Sequence, residues 1–168
     1  MFQAFDNAGA GRPPERAQWM ALLARAPLDL LEPALHEHLG RPARWLRAPE
    51  TGLMMVQGRA GGTGERFNLG EITVTRCALR VEAGADEAAV GVGYVLGRSQ
   101  RHVHLAALAD ALLQDPAQHA ALDATLLEPV RRHLADVQMR RSVRAASTKV
   151  DFFTVARESA GTDEEDSE

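Results

Sequence analysis

Hydrophobic residues recur at helical spacing soon after the start of the chain. Trp19, Leu22, Leu23 and Ala26 lie three or four residues apart, which predicts a helix beginning at Pro14 with one apolar stripe. Pro27 ends that run. A second stripe, Leu28, Leu31, Leu35 and Leu39, stops at Gly40, a fitting C-terminal residue with Pro42 just beyond. The pattern then shifts towards strands. Trp45-Leu46 and Leu53–Gln57 read as strands separated by a turn at Pro49-Glu50-Thr51-Gly52. Ile72–Glu82 and Ala88–Leu96 read as two further strands, joined through Ala83–Glu87 as a hairpin. In the second of them Val90, Val92, Tyr94 and Leu96 share one face. Gly91, Gly93 and Gly97 fall on the other, a smooth surface that lets a helix or another chain come close.

Helical spacing returns after Ser99, a suitable N-cap for a helix carrying Leu105, Leu108, Ala109 and Leu112. Asp115-Pro116 restarts a helix with proline in its first turn. Pro129 interrupts that helix or opens another, which runs to about Ala146. Helices, then neighbouring strands, then helices imply an α+β fold: N-terminal helices, a central antiparallel sheet with a long hairpin, and C-terminal helices. Residues 1–13 read as a flexible N-terminus, 14–157 as a single domain, and 158–168 as a disordered acidic tail.

Charge sharpens that division. Asp163, Glu164, Glu165, Asp166 and Glu168 supply five negative charges, so residues 1–162 carry +1 within a chain of net −4. A near-neutral body with one tyrosine argues against general nucleic-acid binding, which needs a large excess of phosphate-neutralising charge. The single cysteine, Cys77, excludes an intrachain disulfide and any all-cysteine metal or iron–sulfur site within one chain. Met1–Gly11 has no basic start and no apolar run, and no stretch reaches the ~18 apolar residues of a membrane helix, so a cytoplasmic location is expected.

The densest chemistry lies at Gly61–Glu71, GGTGERFNLGE, where four glycines alternate with charged and polar residues before a strand. A Walker-type loop needs Gly-Lys followed by Ser or Thr, and the only lysine is Lys149. Gly91-x-Gly93-x-x-x-Gly97 is not a dinucleotide turn, because Tyr94-Val95-Leu96 continues the strand after Gly93. Two readings of the loop stay open. Its glycines serve turn geometry alone, or backbone N–H groups of Gly61, Gly62 and Gly64, with Thr63, Glu65, Arg59 and Arg66, form an anion-binding or partner-docking site. A second candidate of the same kind is Arg98-Ser99 with Arg101 at a helix N-terminus. Cations are disfavoured there unless an anion joins them or they swing into solvent.

His36/His38 and His102/His104 are spaced by two, which does not match a helical metal pair, and no metal site is assigned. Cys77 reads as a small buried apolar residue. Arg131, Arg132, Arg140, Arg141 and Arg144 make the last helix basic, as a solvated face or a docking surface for an acidic partner. Phe152 and Phe153 point to opposite faces if extended. They are a candidate interface, covered by the chain's own core or by a second subunit. No nucleophile, base and orienter assemble in the sequence, so no catalytic residue is assigned.

Gly61–Cys77, read with Gly91–Arg101 (GVGYVLGRSQR) and Val150–Val155 (VDFFTV), resembles the PhnG family, small subunits of the bacterial carbon–phosphorus lyase core complex. The resemblance spans Ala17 to Arg157. It implies a non-catalytic subunit of a ribose 1-methylphosphonate 5-triphosphate synthase. Such a subunit is required, with PhnI, PhnH and PhnL, to transfer the ribose triphosphate of ATP to an alkylphosphonate and release adenine. It further implies a two-fold symmetric hetero-oligomer that also contains PhnJ, with ATP as substrate of the complex and no cofactor on this chain. Read from residues alone, three functions remain open: such a subunit, a stand-alone enzyme or anion-binding module acting on a phosphorylated small molecule, and a purely structural scaffold.

Overall fold

The computed structural model describes residues 14–83 and 87–148. Helices α1 (Pro14–Leu23) and α2 (Leu28–Leu35) are followed by a 3-10 turn at His36–His38. Strands β1 (Ala43–Arg59), β2 (Arg66–Ala83) and β3 (Glu87–Leu96) come next, then helices α3 (Gln100–Leu113), α4 (Pro116–Leu122) and α5 (Glu128–Ser147). The sheet is antiparallel in the order β1-β2-β3. The expected α+β architecture is therefore present, with its long hairpin formed by β1 and β2.

The expected turn at Pro49–Gly52 does not exist. β1 runs unbroken through it, and its pairing with β2 shifts between Trp45 and Arg47 and again between Arg47 and Glu50. Pro49 lies in the second irregularity of an edge strand, where a residue without an N–H forfeits no ladder bond. The glycine-rich loop is likewise shorter than Gly61–Glu71. Only residues 60–65 connect the strands, and β2 already begins at Arg66. Register shifts again between Val56 and Gln57, leaving Leu69 as the extra residue of a bulge. Its neighbour Gly70 has φ 155°.

α3 lies on the glycine face of β3. A Cβ at Gly91 would stand 1.9 Å from the Ala107 carbonyl oxygen, and one at Gly93 would stand 2.5 Å from that of Val103. Thr75, Cys77, Leu79 and Val81 of β2 face the same way and are all buried. The core is completed by Trp19 and Leu23 of α1, Leu31 and Leu35 of α2, and Leu122, Leu126, Leu127 and Val130.

Asp110, fully buried in α3, ties this assembly together. Its carboxylate accepts a bidentate pair from Arg16 (3.1 and 2.7 Å), the Trp19 indole N–H (2.9 Å) and the Val92 backbone N–H (2.9 Å). Arg16 and Gln114 also donate to the Val90 carbonyl at 3.0 and 2.9 Å. α1, α3 and part of the outer edge of β3 are thus joined by one ion-paired group that satisfies strand backbone otherwise left open.

The expected Ser99 cap forms, and Asp115 also caps the helix that restarts at Pro116. Ser99 Oγ accepts from the His102 N–H (3.2 Å), and Asp115 Oδ1 accepts from that of Ala117 (2.9 Å). Pro129 cannot donate to the carbonyl four residues back. The turn before it widens into a π-helical segment, Asp123–Leu127, and α5 starts at Glu128. From Gln138 onward every described residue of α5 is exposed. Phe152, Phe153 and the extended run Val150–Val155 lie outside the described residues, as do the expected N-terminal and acidic tails.

Candidate functional site

β3 ends opposite Val74, whereas β1 and β2 continue together to Arg59 and Arg66. The outer half of the β1–β2 hairpin is therefore a two-stranded arm, with residues 60–65 as its tip. Two strands alone are marginal in water, because neither face of such a ribbon is covered. Residues directly opposite in the register share a face. One face of the arm carries Met54 with Ile72, Val56 with Gly70, and Gly58 with Phe67. It contains no charge. The Phe67 ring lies across Gly58, with its tip 3.4 Å from where a Cβ would be. The other face carries Leu53 with Thr73, Met55 with Glu71, and Gln57 with Asn68. Leu53 is 66% exposed, Leu69 63% and Phe67 48%.

The tip is a tight turn. Gly61 and Gly62 have φ 59° and 83°, the left-handed region that favours glycine. The Gly64 N–H donates to the Ala60 carbonyl at 2.8 Å, and Arg59 Nη1 donates to the Gly64 carbonyl at 3.1 Å. Arg59 thus closes the tip. Thr63, Glu65 and Arg66 are exposed, and Arg66 stands directly opposite Arg59.

The second cluster is elsewhere. Gly97, with φ 90°, turns β3 into α3. Its N–H donates to the Thr73 carbonyl at 2.9 Å, and its own carbonyl accepts from Thr75 Oγ1 at 2.6 Å. Arg98 is exposed, Ser99 caps the helix, and Arg101 reaches across to Glu32 of α2 at 2.9 Å. Thr73 lies seven positions along β2 from Arg66, so the two clusters lie on the order of 23 Å apart along the arm. The fold does not bring them into one site.

Elsewhere the ionisable groups are structural. Burial pushes the Cys77 thiol up to about 11, and it donates to the Val103 carbonyl at 3.3 Å. Cys77 is expected to resist Ellman's reagent at pH 8 in the folded protein and to react fully once denaturant is added. Rapid reaction of the native chain would show that α3 leaves the sheet readily. His104, tilted against Trp45 at 57° with ring centroids 5.0 Å apart, titrates below the usual histidine range because of burial, then because of the Arg101 charge. Among the described residues no group of three or more His, Cys, Asp or Glu is placed to hold a metal ion. Arg131 pairs with Asp123 (2.8 Å), and Arg132 with Glu128 (3.1 Å), so the start of α5 uses its basic residues internally.

Comparison with known proteins places this arrangement. Residues 14–158 match the family model described as "Phosphonate metabolism protein PhnG". The chain belongs to the PhnG family. It is similar to the alpha-D-ribose 1-methylphosphonate 5-triphosphate synthase subunit PhnG of Rhizobium meliloti (strain 1021). The two are 42% identical over 153 residues, covering 90% of this chain and 93% of that protein. Two of the blocks that carry the PhnG resemblance, Gly61–Cys77 and Gly91–Arg101, are neighbours in space: Cys77 pairs with Gly93 across β2 and β3. The third, Val150–Val155, is outside the described residues.

Sequence reasoning missed two things in this PhnG chain. One is Asp110, whose signal was a lone carboxylate in the apolar run LAALADALL. The other is the exposed face of the sheet. Residues at period two in β2, namely Arg76, Ala78 and Arg80, signalled a face without helices once β3 was paired to it.

Proposed function

We propose that this chain is the non-catalytic PhnG-type subunit of a heteromeric ribose 1-methylphosphonate 5-triphosphate synthase. It would act with PhnI-, PhnH- and PhnL-type subunits, and with PhnJ-type subunits in a two-fold symmetric assembly, to move the ribose triphosphate of ATP onto an alkylphosphonate. The observation that carries this reading is the 42% identity to a named synthase subunit over nearly the whole of both chains. The uncovered apolar arm supports it, since such a ribbon suits a chain that works inside a larger assembly.

The chemistry fits an accessory role. Displacement of adenine at the sugar carbon builds positive charge on the ribose while two polyanions must be held in line. Fixed arginines and backbone N–H groups lower that barrier when they are preorganised. Gly61 and Gly62 at the arm's tip, with Thr63, Glu65 and Arg66, are the proposed contact to substrate phosphate or to the catalytic subunit; the Gly64 N–H is already bonded to the Ala60 carbonyl. Arg59 holds the tip's shape. Arg98, Ser99 and Arg101 are a weaker candidate, because Ser99 and Arg101 already have partners within the chain.

The test is adenine release from ATP and methylphosphonate. The purified chain alone is expected to release none, and the partner subunits should need it for full activity. Turnover by this chain alone would favour a stand-alone enzyme, and full activity without it would remove the subunit reading. Arg66→Ala is expected to lower transfer by the assembled complex about ten- to a hundredfold, the effect of losing one charged hydrogen bond of about 1.5–3 kcal/mol in the transition state. Equal rates from equally assembled complexes would reduce the tip to a turn. Poorer assembly with a normal rate per complex would make it a docking element.

A further inference from the structure

Opposite α3, the sheet presents a second face that continues without a break into the arm. From body to tip the register lays out Arg44–Arg80–Val90, Arg47–Ala78–Val92, Glu50–Arg76–Tyr94 and Gly52–Val74–Leu96. It then continues through Met54–Ile72, Val56–Gly70 and Gly58–Phe67. A solvated sheet face should alternate to polar residues. Here the middle and outer part is apolar, with Leu96 69% exposed and Tyr94, Met54 and Phe67 exposed beside it. The body end is basic. Arg44, Arg47, Arg76 and Arg80 stand against Glu50 and Glu82, and Glu50 is shared by Arg47 (2.8 Å) and Arg76 (2.7 Å). Arg44 and Arg80 are directly opposite one another, and neither has an ion-pair partner among the described residues. Like charges so placed oppose strand pairing.

We infer that this face seats a segment of another subunit of the synthase, apolar along most of its length and carrying carboxylates where it meets Arg44 and Arg80. The inference rests on the subunit reading and names the surface that reading needs. Three observations fix the occupant. β1 has 17 residues, so the face is about 50 Å long and roughly 10–14 Å wide. A footprint on the order of 600 Å² approaches the roughly 800 Å² per partner of a stable interface, and its shape suits an elongated segment. The positive surplus at the body end calls for acid in the partner. A second copy of this chain does not supply it. Laid parallel, it sets the four arginines against themselves. Laid antiparallel, it sets them against the uncharged outer rows, Val56–Gly70 and Gly58–Phe67.

The test uses the full-length chain co-expressed with the other synthase subunits. Wild-type, Met54→Glu, Ile72→Glu and Arg44→Glu/Arg80→Glu chains are compared for complex yield by size-exclusion chromatography with light scattering, and each variant is melted alone to show that its body is folded. Each variant is expected to weaken assembly at least tenfold while melting like wild type, and Arg44→Lys/Arg80→Lys should assemble normally. Amide exchange in residues 66–73 should slow at least tenfold in the complex. Unchanged assembly in either the apolar variants or the charge reversal, with a folded body, overturns the proposal. So does loss of adenine release at normal assembly in the charge reversal, which would make the arginines a substrate-anion site. A wild-type dimer that Met54→Glu dissociates would give the face to a second copy instead. Failure of the wild-type chain to join the complex at all would strike the subunit reading itself, a distinct result.

Discussion

Gly91→Ala is expected to abolish native packing of α3 on the sheet. The new Cβ would fall 1.9 Å from the Ala107 carbonyl oxygen and 2.9 Å from the Ala111 Cβ. Overpacking usually costs about 1–3 kcal/mol, because side chains can rotate aside. Here the nearest obstacle is helix backbone, so the whole of α3 must move, and with it the Asp110 carboxylate that holds α1. A loss above about 4 kcal/mol is expected, within the range reserved for named structural lesions. Thermal denaturation followed by circular dichroism measures it. Gly52→Ala is the control, since a Cβ there meets nothing within 4 Å, and it should change stability by less than about 0.5 kcal/mol. A Gly91→Ala chain that melts like wild type would mean that α3 does not lie on β3 as described.

Asp110→Ala should cost about 3–5 kcal/mol, the usual consequence of removing one member of a buried ion pair. The substitution strands the Arg16 guanidinium, the Trp19 indole N–H and the Val92 amide together. For a chain of this length that corresponds to a drop in midpoint of roughly 6–20 °C. Arg16→Ala should cost less, because Asp110 keeps two neutral donors and the Arg16 side chain is already 20% exposed. A larger loss from Arg16→Ala than from Asp110→Ala would contradict the hub described here.

Much of this architecture was legible because its signals are local. Ser99 and Asp115 announced helix starts through side chains that bond two or three residues ahead. The glycine face of β3 was visible at period two, and a helix does lie on it. What failed depended on partners far along the chain. Pro49 and Gly52 look like a turn until β2 is known to run beside them, when pairing and a bulge keep them extended. Arg66–Leu69 looked like loop because glycines flank it, yet β1 recruits it into a strand. Asp110 was hidden for the same reason: its donors sit 94 and 91 positions earlier and 18 positions earlier, and no window of sequence contains them all. The candidate site was legible at its tip, where glycine and charge cluster. Its larger part, the face formed by β1, β2 and β3 together, exists only after the register is set.

The long span between Arg16 and Asp110 also orders events at the ribosome. The first helix is made some 94 residues before the carboxylate that will hold it. At roughly 5–20 residues per second, synthesis leaves a gap of about 5–20 seconds. Throughout that interval Trp19 and Leu23 have no Asp110 and no complete α3 to dock against. Each strand, by contrast, meets its neighbour as soon as the next hairpin emerges. The sheet can therefore be paired while α1 still waits, so that a helix made before the sheet reaches its place after it.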